Sequence, residues 1–141
     1  MKKGIFLSIK PKFTKKISTG EKNYEYRKYI PKENFNFLYV YETTPSCCLK
    51  YILTIDKIVE YPKKIIEKGY GNDEFNNGLK KSKYAYHISK VEVLENPIPL
   101  NILKIKFGFS APQSYAYDSR YPDLVNVLDK APKKVLIDNE I

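Results

Sequence analysis

The sequence predicts an α+β fold, a largely antiparallel β-barrel of about five to seven strands with short helices flanking it. Three observations carry that expectation. Runs rich in Tyr, Phe, Val and Ile alternate apolar with polar positions and are separated by Pro, Gly, Asn and Asp turns. No stretch sustains an apolar stripe at helical spacing for long. The chain of 141 residues suits one domain spanning 1–141, and a domain of that size buries roughly two-thirds of its unfolded surface.

In chain order, residues 4–9 read as the first strand. Residues 11–19 read as a helix, with Pro11 in the first turn, Phe13 and Ile17 on one stripe, Lys12, Lys15 and Lys16 outside, and Gly20 ending it in a left-handed conformation. After Gly20 the period becomes two, so that Asn23, Glu25, Arg27 and Tyr29 share one face of a strand and Tyr24, Tyr26 and Lys28 the other. Lys22, in the turn, can swing towards the Glu25 and Arg27 patch. Pro31 ends that strand, and residues 34–42 form another, with Phe35, Phe37, Tyr39 and Tyr41 alternating against Asn36, Leu38, Val40 and Glu42.

A turn at residues 43–46 leads to 47–59, long enough for a strand that bends or for two short ones. Residues 62–68 can open a helix that Gly69 closes, and 73–79 another, joined by a mobile link at 69–72. Residues 84–94 form the clearest later strand, after which Pro97 and Pro99 should bar regular pairing. Residues 100–105 fit a helical turn or a strand. A closing strand is expected at 114–117 and a helix within 118–131, where Leu124, Val125 and Leu128 have helical spacing. The tail 133–141 fits a last strand or a frayed end.

Charge is unevenly placed. Residues 1–32 hold ten Lys or Arg against Glu21 and Glu25, whereas the remainder holds fifteen against fourteen acids, so nearly all of the net +9 belongs to the amino-terminal quarter. Such a field concentrates polyanions, which makes nucleic acid the first partner to consider, with an acidic protein partner behind it. Only Arg27 and Arg120 are arginines among 25 cations, so Arg27 stands where a planar fork, rather than a generic charge, is used. No apolar run approaches bilayer length, and the run after Lys3 is cut short by Lys10, so no membrane contact is expected and the chain is placed in the cytoplasm.

The spacing Gly-x-Lys-x-x-Glu-x-Arg, filled by Gly20, Lys22, Glu25 and Arg27, resembles the signature of the ASCH domain family, whose fold is a small barrel of the PUA-like type. Further segments resemble the family in its order: Leu7-Ser-Ile-Lys-Pro11, Tyr39-Val-Tyr-Glu-Thr-Thr-Pro45, Tyr84-Ala-Tyr-His-Ile-Ser-Lys90, Asn96-Pro-Ile-Pro-Leu100 and Pro112-Gln-Ser-Tyr-Ala-Tyr117. The resemblance covers about 4–117 and leaves 118–141 as a C-terminal extension. A more typical member has Phe-Arg-Tyr where this chain has Tyr115-Ala-Tyr117.

Two function classes follow. The resemblance implies a basic cleft that accepts a nucleotide or an unstacked, modified or plain base, from RNA rather than DNA. Lys22, Glu25 and Arg27 would edge it, Lys12, Lys15 and Lys16 would add phosphate contacts, and Gln113, Ser114, Tyr115 and Tyr117 would offer polar and stacking contacts. Alternatively, some ASCH proteins are amidohydrolases that deacetylate N4-acetylcytidine with the signature lysine, a threonine three residues later and a distant glutamate. Lys22 fits, but Glu25 stands in the threonine's place and should favour a protonated lysine; Glu67 and Glu74 are equal claimants for the distant carboxylate. Nucleolytic cleavage is a weaker third reading.

The remaining tyrosines at 24, 26, 39, 41, 84 and 86 are expected in the core. His87 is the only histidine and should make a local hydrogen bond; adjacent Cys47 and Cys48 point to opposite faces of a strand, so neither a metal nor a disulfide is expected. No phosphate-cradling glycine loop or nucleophile elbow occurs, and no cofactor is expected.

Overall fold

The computed structural model describes residues 3–139. Its elements are β1 (Gly4–Ile9), α1 (Pro11–Ser18), β2 (Tyr24–Arg27), β3 (Phe37–Glu42), β4 (Cys48–Glu60), α2 (Asn72–Asn76), β5 (Tyr84–Pro99), α3 (Leu100–Phe107), β6 (Ala116–Tyr117), α4 (Pro122–Lys130) and β7 (Lys133–Asp138), with one 3-10 turn at Asp118–Arg120. The strands form one curled sheet in the order β2-β5-β4-β3-β1-β6, with β7 also on β5. β1 and β3 run parallel and the other pairs antiparallel. The expected α+β architecture is therefore present, with the barrel open as a half-barrel.

Alternation assigns the two faces. Ile5, Leu7, Leu38, Val40, Leu53, Tyr86 and Ile88 fill one side together with Ile17 from α1. Phe6, Tyr39, Tyr41, Leu49 and Ile52 fill the other, covered by Leu103 of α3 and by Leu124 and Leu128 of α4. Residues beyond 117 thus belong to the packing of the sheet. A smaller cluster of Tyr24, Ile65, Phe75 and Ala85 lies under the segment between β4 and β5. Tyr24, Tyr39, Tyr41 and Tyr86 are buried as expected, while Tyr26 and Tyr84 are partly exposed. Among the described residues, no helix is long and apolar enough to cross a membrane.

The helix expected at 62–68 does not form. Asn76 of α2 donates to the Ile65 carbonyl at 2.9 Å and accepts the Ile65 N–H at 2.7 Å, taking both backbone groups that a helix would use internally. The prolines at 97 and 99 do not end β5 either. Leu49 faces Ile98 but Tyr51 faces Val93, so residues 94–97 have no partner on β4 and Pro97 needs no ladder bond to it; Pro99 occupies the last rung, opposite Cys48. Residues 100–105 resolve as the start of α3, and the closing strand shrinks to Ala116–Tyr117. The tail forms β7 through Asp138, and its last residues, 140–141, lie outside the described residues. On β7, Val135 faces Glu92 and Ile137 faces Val91, so Leu136 is an extra residue without a partner across the ladder.

The two ends of the sheet path, β2 and the β1–β6 pair, share no backbone ladder. Side chains bridge this seam instead. Arg27 Nη2 donates to the Ser8 carbonyl at 3.1 Å, and the Tyr29 hydroxyl to the Ser114 carbonyl at 2.8 Å.

Candidate functional site

α1 ends at Gly20, whose φ of 84° is the left-handed conformation anticipated for it, and the Lys22 N–H bonds back to the Lys16 carbonyl at 3.0 Å. This turn aims the Lys22 side chain inward. Its Nζ lies 3.7 Å from Glu25 Oε1, and Arg27 Nη2 lies 2.7 Å from Glu25 Oε2, so the signature residues converge as one cation–anion–cation chain. All three side chains are largely buried, Lys22 with 5% of its side-chain surface exposed, Glu25 with 9% and Arg27 with 15%, so solvent does little to screen them. Asn23, expected on the same face, turns the other way and bonds the Lys68 carbonyl and Asn72.

Burial weighs on the titration of both cations. Lys22 has a pKa below that of an ordinary lysine: burial pushes it down, Glu25 pulls it part of the way back, and Lys80 and Arg27 add to the fall. Glu25 thus favours the protonated lysine, as the sequence suggests, but burial, which spacing does not reveal, outweighs it. Burial also acts against the Arg27 charge, but Glu25 and Tyr29 outweigh it and its pKa is raised. Arg27 spends its fork inside the protein: Nε donates to Glu25 at 2.9 Å, Nη1 to the Tyr29 hydroxyl at 3.3 Å, and Nη2 to the Ser8 carbonyl. The planar geometry that singled out this residue serves the seam.

Tyr29 extends the chain of contacts to the other sheet end. Its ring stacks on Tyr115 with centroids 5.1 Å apart, and Tyr115 meets Tyr117 edge-on at 5.3 Å. The structure thus brings Tyr115 and Tyr117 beside Arg27, with Gln113 and Ser114 exposed on the loop that precedes them. Lys12 and Lys15 are exposed on α1, and Lys16 is partly exposed, bonding Glu21 at 2.9 Å.

Sequence reasoning missed a second set of residues. Tyr70, in what read as a mobile link, is 40% exposed, with Lys16 Nζ 4.7 Å from its ring centroid and Phe13 6.3 Å away. Its N–H is held by the Glu21 carbonyl at 2.9 Å. Beside it, the Tyr26 ring lies between two ammoniums, Lys22 at 4.2 Å and Lys80 at 4.4 Å. Lysines interleaved with aromatics were visible in the sequence, but their meeting across α1 and the 69–80 segment was not.

The other side of β2 carries a separate network. His87 Nδ1 bonds Asp56 at 2.6 Å, while Glu67 accepts from the Tyr24 hydroxyl at 2.8 Å and from Lys57 at 2.9 Å. Burial alone would raise the Glu67 pKa, but the bonds from Lys57 and Tyr24 outweigh it and hold it down at about 2. Glu67 is therefore committed away from Lys22. Cys47 precedes β4 with φ 46°, rather than lying on the strand, and both cysteines are free thiols. Among the described residues no three His, Cys, Asp or Glu side chains gather as a metal site.

A curled mixed sheet with short helices on both faces is an α+β fold that solved structures of ASCH proteins share. Solved structures that share it include the crystal structure of ASCH from Zymomonas mobilis, with a TM-score of 0.65 and 21% identity over 92% of this chain and 96% of that one. A serine-to-alanine variant of the Zymomonas mobilis protein matches at TM-score 0.64 and 21% identity, over 89% and 96%. A tyrosine-to-phenylalanine variant matches at TM-score 0.66 and 20% identity, over 93% and 100%. At such identity the likeness establishes the fold. No protein-family model matches the chain, and no curated protein does.

Proposed function

We propose that the chain is an ASCH-family nucleic-acid-binding module that takes single-stranded RNA across α1 and the seam. The observation that carries this reading is the exposed Tyr70 ring flanked by Lys16 and Phe13, continuous with the Lys12 and Lys15 face. An aromatic ledge set among ammoniums suits a base stacked on the ring with its phosphates on the lysines. Glu25 and Arg27 frame the seam, and Lys22 supplies a charge at its floor. Tyr115, Tyr117, Gln113 and Ser114 form the far wall, where a second base edge can be read.

Binding of single-stranded RNA and DNA oligomers by fluorescence anisotropy across a salt series tests this. With about four to six phosphate contacts, log affinity falls against log salt with a slope of roughly −3 to −4. Replacing Lys12, Lys15 and Lys16 with Ala flattens that slope, whereas Tyr70→Ala costs about 1–3 kcal/mol with the slope kept. Undetectable binding at low salt ends the polyanion reading and moves an acidic protein partner to the front.

One observation favours an enzyme instead: Lys22 is a buried amine whose pKa is lowered, as a nucleophilic lysine requires. A binder leaves N4-acetylcytidine unchanged. A hydrolase releases cytidine, loses turnover in Lys22→Ala and gains it as pH rises; activity in the unaltered chain would overrule the weight given to Glu25 in the threonine's place.

A further inference from the structure

On the sheet face away from α1 lies a groove of about 820 Å³, floored by Phe37, Tyr39 and Ile52 and walled by Val125 of α4. Its charges differ from those of the α1 face. Lys90 and Lys133 stand with Glu92 and Asp129, so the groove is balanced and offers a polyanion no net attraction. Lys133 is already engaged with the carbonyls of Ala131 at 2.9 Å and Asp129 at 3.4 Å. Lys90 and Glu92 project from alternate positions of β5 onto this face and form no ion pair among the described residues.

Tyr39 is the second feature. Its residue is 4% exposed, its ring packs on Phe6 with centroids 4.9 Å apart, and its hydroxyl makes no hydrogen bond among the described residues. No wholly buried side-chain polar atom among these residues lacks a partner, so this oxygen opens into the groove that Tyr39 lines. Burial, with Asp129 and Asp118 behind it, pushes its pKa to about 12, and it stays a donor at neutral pH. An apolar floor with one waiting donor, one free ammonium and the carboxylates of Glu92 and Asp129, both unpaired among the described residues, is the composition of a small-ligand site.

We propose that this groove binds a short zwitterionic peptide with apolar side chains, its carboxylate at Lys90 and its ammonium at Glu92. Lys90 and Glu92 rise two residues apart from one face of β5, so a cation and an anion stand side by side at the groove, the complement of a ligand that carries both charges at its ends. Tyr39 donates to the peptide carbonyl between the termini, and Phe37, Ile52 and Val125 take the side chains. This site is independent of the RNA reading, because it lies on the opposite face and has no excess of positive charge.

The test is an NMR titration of the isotope-labelled full chain with the dipeptide Leu-Phe, run beside its N-acetyl and C-amide forms. Saturable shifts are expected at Tyr39, Ile52, Lys90, Glu92 and Val125. Capping either end, or replacing Glu92 with Gln or Lys90 with Met, weakens binding by about fivefold or more, as loss of a charge-assisted bond requires. Tyr39→Phe weakens it by about threefold or more; since that hydroxyl has no partner within the chain, the thermal midpoint is unchanged, which separates a lost ligand contact from a damaged fold. Absence of saturable shifts at these residues, or equal binding of the free and both capped peptides, overturns the proposal. So does a Tyr39→Phe protein that binds as the natural chain does.

Discussion

The two faces of β2 carry polar networks of similar make-up in unlike surroundings. On one, Lys22, Glu25 and Arg27 are packed at the seam with side-chain exposures of 5%, 9% and 15%. On the other, Lys57, Glu67 and Asp56 retain 46%, 30% and 49%. Water and salt can replace most of what the open network provides, whereas the buried chain of charges has no substitute for a missing member. The contrast assigns different tasks to similar residues: the buried chain closes the half-barrel, and the open one tethers the segment between β4 and β5 to β2.

The largest expected difference between the faces comes from removing each carboxylate. Glu25→Gln leaves two buried cations without their counter-charge and should lower unfolding free energy by about 3–5 kcal/mol. Glu67→Gln should cost about 1 kcal/mol, because the exposed Lys57 then turns to solvent while the buried Tyr24 hydroxyl keeps the amide oxygen as its acceptor. Urea denaturation of the two variants side by side measures both, and equal losses would show that burial does not set the difference. Next in size is Arg27→Lys. The charge remains but the fork to Glu25, Tyr29 and Ser8 is lost, for about 1–3 kcal/mol by the same denaturation. A loss no larger than that of Lys57→Ala would remove the seam role given to Arg27.

The pH dependence is the smallest effect and has opposite locations for the two faces. Glu67 binds its proton less readily in the folded chain than in the unfolded one. Its contribution is complete above the ordinary carboxylate value of 4.5 and is lost as pH falls towards about 2. Lys22 has a lowered folded pKa, so in the alkaline range the unfolded chain binds more protons and stability rises with pH. Thermal melts across acid and alkaline buffers should show Glu67→Gln flattening only the acid limb and Lys22→Met only the alkaline rise. If Lys22→Met leaves the alkaline limb unaltered, the amine is not desolvated as described.

Much of this arrangement was legible because it depends on local spacing. Gly20 and the two-residue period placed Lys22, Glu25 and Arg27 together, and Pro11, Phe13 and Ile17 placed α1. What could not be read depends on distant partners. The Ser8 and Ser114 carbonyls that receive Arg27 and Tyr29 carry no side-chain signal, and the helix expected at 62–68 was pre-empted by one amide, that of Asn76. Tyr70 looked like part of a flexible link because nothing in its neighbourhood announces Glu21 or Lys16. The lowered pKa of Lys22 was hidden for a related reason: spacing reveals the neighbouring charge of Glu25, but not how deeply both are packed.

The unpartnered Leu136 of β7 bears on solubility. β7 has one side of its ladder open, and Val135 and Leu136 are 48% and 37% exposed, which on a regular strand would offer neighbouring molecules an adhesive rail. The extra residue kinks that rail in mid-course, and Lys133 and Lys134 stand at its beginning. A second chain cannot follow the kinked edge for more than a rung or two before its own bonds fall out of step. The open strand at the margin thus carries two of the devices by which edges are blunted, a bulge and flanking lysines.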